Sequence, residues 1–192
     1  MNLPHIYLAS RSPRRRQMLE MVGINFTLLD VEVDEDNHFA DNPGEYVVTL
    51  SGKKALEAAK QISSGIIATA DTIVYLDEKI LNKPADHEDA RRMLRSLSGK
   101  THKVFTGFTL LGLPGGKMVQ DYGVTEVGFR QLDEEEIAEY VESGAPMDKA
   151  GAYGIQDDLS ALFVERINGD FYNVVGLPLP KFYLALKNFS HA

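Results

Sequence analysis

The chain has 192 residues, 44% hydrophobic and 25% charged, and its 28 acidic against 20 basic side chains leave a net charge of −8. That length supports one sizeable core, and the acidic balance argues against a broad nucleic-acid or anionic-membrane surface, which needs a basic face. Cysteine is absent, which excludes disulfides, thiolate catalysis and cysteine-based zinc sites.

Ile6, Tyr7, Leu8 and Ala9 read as a short buried strand. Ser12 then stands as a helix N-cap, Pro13 as the first helical residue and Gly23 as the stop. Four of the twenty Lys and Arg side chains, Arg11, Arg14, Arg15 and Arg16, fall in this stretch. The turn therefore aims free backbone N–H groups and a positive dipole end at whatever follows the strand, as an anion site would.

Helix phase separates the arginines. Arg15, Leu19 and Val22 fall at i, i+4 and i+7, as do Arg14, Met18 and Met21, so Arg14 and Arg15 continue an apolar stripe. Guanidinium groups there need carboxylates, phosphates or a wet cleft; structural salt bridges or snorkelling to the surface are the alternatives. Arg16 is expected to pair with Glu20 at i+4 and to be solvated.

Phe26 to Val33 reads as a second strand, followed by an acidic loop over 34–42. Val31, Val33 and Glu35 alternate on one face, so Glu35 extends the apolar side of an otherwise acidic run. An acidic run after a strand is also an ordinary solvated loop. A helix is predicted from about Pro43 to Ile62, on which Leu50 and Ala58 flank Lys54 at i−4 and i+4 and turn it inward, leaving Lys53 the more exposed.

Residues 66–76 are nearly continuous Ile, Val, Thr and Ala, which fits a central buried strand, and Asp71 lies within it. By alternation Asp71 shares a face with Ile67, Thr69, Ile73 and Tyr75. A carboxylate there calls for a metal, a cation or a reacting water, unless it breaks the strand and bonds backbone N–H groups. A short strand, Lys79-Ile80-Leu81, follows, and Pro84 holds Lys83 in an extended segment.

Asp86 caps a predicted helix whose stripe is Ala90, Met93, Leu94 and Leu97, with Gly99 past its end. Residues 103–113 and 117–129 form an expected β-hairpin around Pro114-Gly115-Gly116. A helix over 132–142, a strand over 161–167 and a terminal helix over 179–189 complete the reading. Between them, 147–156 packs glycines around Tyr153 and Gln156, a loop able to bring backbone close to a ligand or to serve as a tight turn. It is neither a Walker loop nor a dinucleotide fingerprint.

The five histidines, His5, His38, His87, His102 and His191, show no paired metal-ligand spacing. No apolar leader and no run of about 20 apolar residues occurs, so a cytosolic protein without a membrane partner is expected. With no linker or repeat, residues 1–192 are expected to form a single domain, possessing two lobes around a deep cleft.

The segment Leu8-Ala9-Ser10-x-Ser12-Pro13-Arg14-Arg15 resembles the amino-terminal signature of the Maf nucleotide pyrophosphatases. The resemblance continues through Ala70-Asp71-Thr72, Lys83-Pro84, Leu97-Ser98-Gly99-x-Thr101-His102-x-Val104, residues 148–156 and residues 168–178. It implies an α/β, mixed-sheet fold of Maf/Ham1 (ITPase-like) type, a homodimer, and a cytosolic enzyme that uses Mg²⁺ or Mn²⁺ to cut nucleoside triphosphates into monophosphate and pyrophosphate.

Carried over by motif, the resemblance implies that Ser10, Arg15, Lys54 and Lys83 contact phosphates, with Arg14 beside them as a substrate-binding candidate. Asp71 is the implied general base, and Glu35 and Asp71 the implied metal or water ligands. Gly151-Ala-Tyr-Gly-Ile-Gln156 is similar to the branch acting on dTTP and UTP, which gives Gln156 the pyrimidine edge. Asp157 and Asp158 depart from the glycine often found there. The alternatives are a pyrophosphatase for 7-methyl-GTP or other modified nucleotides, a nucleotide-binding regulator of cell division by septum inhibition, and a phosphomonoesterase.

Overall fold

Strand β1 (Ile6–Ala9) lies between two parallel neighbours, β2 (Phe26–Leu29) and β3 (Gly65–Leu76), with Ile6 registered on Phe26 and on Ile66. Strands paired on both sides and buried on both faces need continuous apolar sequence, which Ile6, Leu8, Ile67 and Ala68 supply. The computed structural model describes residues 3–33, 42–157 and 159–189.

The other strands are β4 (Lys79–Leu81), β5 (Thr101–Leu113), β6 (Met118–Phe129) and β7 (Val164–Asn168). They complete a seven-stranded mixed sheet in the order β2-β1-β3-β5-β6-β7, with β4 antiparallel to β3 and β7 antiparallel to β6. The helices are α1 (Pro13–Met21), α2 (Pro43–Ala58), α3 (His87–Leu97), α4 (Glu134–Glu142), α5 (Phe171–Val175) and α6 (Leu179–Phe189). The α/β class and the mixed sheet match the expectation.

The chain divides into two compact units. One comprises Met1–Asp71, Thr106–Gly123 and Gly176–Ala192, the other Thr72–Phe105 and Val124–Val175, so β3, β5 and β6 each supply residues to both. In the first, Ala9, Ala55, Ala58, Ile67 and Leu111 form a small-residue core flanked by Tyr7, Leu29 and Val31. Helix α2 meets β5 and β6 there through glycine. A Cβ on Gly107 would stand 2.6 Å from the Val47 carbonyl carbon, and one on Gly44 would stand 2.5 Å from the Tyr122 ring. Backbone and ring occupy the space a side chain would need.

In the second unit, α3 buries its stripe of Ala90, Met93, Leu94 and Leu97 as expected, and Asp86 accepts from the Asp89 N–H at 2.8 Å. Helix α4 opens with a full capping box between Asp133 and Glu136. Phe129, Tyr140 and Phe163 pack edge to face, with Phe163 5.4 Å from the Tyr140 ring.

Several boundaries differ from the sequence reading for local reasons. Strand β2 stops at Leu29 rather than Val33, because Ala9, its last partner on β1, ends the ladder. Helix α2 stops at Ala58 rather than Ile62, its end tightening into three-residue bonds from Lys60 N–H to Glu57 and from Gln61 N–H to Ala58. Residues 160–163 wind into a 3₁₀ turn before β7 begins. The five-residue α5 is too short to write a helical period.

Candidate active site

The parallel register of β1 and β3 brings two sequence candidates to the same end of adjacent strands. Leu8 pairs with Ala68, so Ser10 and Asp71 both lie just beyond the registered segment, toward the carboxyl ends. Ligands of open α/β sheets favour that edge.

Ser10 begins the turn into α1, where its Oγ accepts from the Ser12 N–H at 3.3 Å and from Arg15 Nη1 at 3.2 Å. Arg15 Nε donates to the Gly176 carbonyl at 2.7 Å. The guanidinium is thus aimed by two fixed acceptors across the first turn of the helix. Ser12 occupies the N-cap position but makes no side-chain cap bond. Of the other arginines, Arg14 is half-buried, and Arg11 is exposed and paired with Asp30 and Glu32 at 2.8 and 2.9 Å. Arg11 holds the Asp30 carboxyl below its usual range through their hydrogen bond.

Arg16 corrects an expectation. It donates from Nη2 to the Arg11 carbonyl at 3.4 Å instead of pairing with Glu20, and its Nε is buried without an acceptor among the described residues. The i,i+4 rule assumes a solvated side chain, and Arg16 is half-buried against the turn that precedes its own helix.

Asp71 is 8% exposed and pairs with Lys54, whose ammonium donates to its Oδ1. Lys54 projects from α2 as the helix phase predicts, and Lys53 is exposed. Of the three compensations a carboxylate in β3 could have, the fold supplies a cation. Nearby, Thr69 donates to the Ser51 carbonyl and Ser51 bonds Thr109 at 2.8 Å, so polar groups tie α2 to the sheet below Lys54.

Glu35 and Asp158 lie outside the described residues. Among the described residues no group of three or more His, Asp or Glu side chains is gathered as a metal cage.

Lys83 and Gln156 belong to the second unit. Lys83 is exposed beside buried Pro84, and the preceding Asn82 carbonyl accepts from the Gly151 N–H at 3.1 Å. That bond brings the Lys83 segment against the start of the glycine loop. Gly151 takes φ 70°, and a Cβ there would stand 2.8 Å from Val74, so glycine is required on both counts. Gln156 is exposed, while Tyr153, Gly154 and Ile155 before it are buried.

The chain matches the family model described as Maf-like protein over residues 5–189. It belongs to the Maf family. A Carboxydothermus hydrogenoformans protein named dTTP/UTP pyrophosphatase is 45% identical over 186 residues, 97% of this chain and 99% of its own length. A Clostridium perfringens (strain SM101) protein of the same name is 46% identical over 187 residues, 96% of this chain and 97% of its own. The solved structure of a HAM1 protein from Coxiella burnetii aligns with a TM-score of 0.55 at 16% identity, covering 97% of this chain and 100% of that one. That likeness places the fold in the Maf/Ham1 group.

In this Maf chain the second unit holds polar residues to which the sequence reading gave no role. His102 is 2% exposed, its Nε2 bonds the Tyr153 hydroxyl at 2.7 Å, and its Nδ1 has no partner among the described residues. The Phe129 and Tyr153 rings meet the imidazole edge to face at 5.1 and 5.3 Å. Burial pushes its pKa down from 6.5 to about 4. The unfolded chain therefore takes up a proton that the folded one refuses as pH falls from 6.5 toward 4. Stability from this source is complete above pH 6.5 and is lost on acidification, reaching about 3 kcal/mol across the window. Urea unfolding at pH 7 and pH 5 should show a loss of about 2 kcal/mol in the wild type and a clearly smaller one in His102→Gln.

Proposed function

We propose that this chain hydrolyses dTTP and UTP to the nucleoside monophosphate and pyrophosphate. The observation that carries the reading is the buried Asp71–Lys54 pair at the strand edge that also carries Ser10 and Arg15. The names of the Carboxydothermus and Clostridium relatives support the substrate class.

Water attacks the α-phosphorus and the bond to the bridging α–β oxygen breaks, so negative charge builds on the departing pyrophosphate. Asp71 takes the proton of the attacking water, while Lys54 holds the carboxylate in position. Arg15 and Ser10, with Arg14 beside them, donate to phosphate oxygens, and Lys83 adds a further ammonium. No bond between protein and substrate forms. Gln156 presents an amide, both donor and acceptor, which matches the O4 and N3–H of a uracil or thymine edge.

A divalent cation fits this donor set, because Mg²⁺ uses one or two carboxylates and completes its shell with substrate phosphates and water. Asp71, with Glu35, would hold it, and when bound it neutralises charge on the phosphate oxygens. Residues 1–192 would then work as one catalytic domain, cytosolic and homodimeric as the family resemblance implies.

Product analysis with a panel of triphosphates and Mg²⁺ or Mn²⁺ tests the reading. UTP and dTTP should give pyrophosphate as first product, with kcat/KM at least about tenfold above dGTP and dATP, a gap needing only about 1.4 kcal/mol. Orthophosphate as first product would replace the reaction with a phosphomonoesterase. Strong preference for 7-methyl-GTP would keep the reaction and reject the pyrimidine assignment.

A further inference from the structure

The loop that carries Gln156 is clamped from both sides by side chains of its own unit. At its start, the Tyr153 hydroxyl meets His102 at 2.7 Å. At its end, Asp157 Oδ2 accepts from the Tyr140 hydroxyl at 2.7 Å and lies 3.1 Å from the Lys149 ammonium. Lys149 is 8% exposed, so this ammonium is nearly withdrawn from water and also pairs with Asp148 at 2.8 Å. Gly154 sits beneath the cluster. Its N–H donates to the Tyr140 oxygen at 3.3 Å, its carbonyl accepts from Ser160 Oγ, and a Cβ would stand 2.6 Å from Lys149 Cε and 2.8 Å from Asp157.

Burial raises the Tyr140 pKa, so its hydroxyl remains a donor to Asp157 throughout the working range. Within this frame Gln156 is the exposed residue, directly preceding the clamped Asp157. A buried lysine with its counter-ion is costly to assemble and gives orientation in return.

We propose that Asp157, held by Tyr140 and Lys149, is a positioning residue that fixes Gln156 for reading the substrate base. This rests on Gln156 contacting that base. With the clamp intact, the loop is ordered before substrate arrives. With it broken, only a fraction of molecules hold the amide correctly, and the apparent affinity for a pyrimidine nucleotide falls by that fraction. Nucleotides that make no use of Gln156 lose nothing. Chemistry at the α-phosphorus is untouched, so the change falls in KM rather than kcat.

The test measures kcat and KM for UTP and dGTP, with melting temperature, on wild type, Asp157→Ala, Asp157→Asn, Tyr140→Phe, Gln156→Ala and the Gln156→Ala/Asp157→Ala double variant. Asp157→Ala should raise KM for UTP about tenfold with kcat within about threefold, and should cut the UTP-to-dGTP ratio of kcat/KM by a similar factor. Asp157→Asn, whose amide oxygen still accepts from Tyr140, should restore most of the ratio. Tyr140→Phe removes one hydroxyl and should reproduce part of the loss, which keeps the test decisive if Asp157→Ala fails to fold. In the Gln156→Ala background, Asp157→Ala should have no further effect on the ratio.

If Gln156→Ala collapses the ratio while Asp157→Ala and Tyr140→Phe lower only the melting temperature, the clamp is structural and the proposal is overturned. If Gln156→Ala itself leaves the ratio unchanged, the proposal falls together with the base-reading assignment on which it stands.

Discussion

Replacing Asp71 by Asn should lower kcat for UTP by roughly 10²- to 10⁴-fold, the range usual for loss of a general base, while nucleotide binding persists. Asn keeps the shape, and its amide oxygen still accepts from Lys54, so the local packing around β3 is retained. The observation behind this is a buried carboxylate whose partner in the described geometry is a lysine on the neighbouring helix. An Asp that served only to neutralise Lys54 would behave differently. Its Asn variant would melt earlier, and kcat per folded molecule would be unchanged. Melting temperature, UTP affinity and kcat on one preparation separate the two, and a stable variant with unaltered kcat ends the base assignment.

Arg15 should be nearly as sensitive. Arg15→Ala removes a guanidinium aimed by the Gly176 carbonyl and Ser10 Oγ, and hydrolysis of UTP should drop by about 10²- to 10³-fold in kcat/KM. Arg15→Lys keeps the charge but cannot satisfy both acceptors while presenting a fork to phosphate, so it should recover little of the loss. Arg16→Ala is the control. Arg16 donates to the Arg11 carbonyl and to no carboxylate among the described residues, and turnover should change by less than about threefold. Near-wild-type turnover in Arg15→Ala would remove this arginine from the phosphate site.

The parts of the site that could be read from sequence are those written locally. Strand, cap, Pro13 and arginine stripe follow one another within a few residues, and an Asp among Ile, Thr and Ala announces its own burial. The Asp71–Lys54 pair is different: its members are 17 residues apart, and only the packing of α2 on the sheet joins them. Phase alone turned Lys54 inward without naming its partner. The clamp on the glycine loop was less legible still. Lys149 and Asp157 stand among glycines and small residues, where charges ordinarily mean solvated surface, and Tyr140 comes from a helix on which no site residue was expected. Arg16 shows the converse error, since a spacing rule proposed a partner that burial against the Arg11 turn forbids.

The glycine contacts beneath α2 bear on how this site withstands mutation. A helix propped on a layer of side chains drifts whenever one of them changes size, and a catalytic group mounted on it drifts too. At Gly107 of β5, helix α2 instead lies directly on strand backbone, while its own Gly44 lies against the Tyr122 ring. Backbone has a fixed thickness. Changes of side-chain size elsewhere in the core leave this one spacing unaltered, whereas Gly107 and Gly44 have almost no freedom to vary. The helix that carries Lys54 thus has one point of contact whose spacing the core side chains do not set.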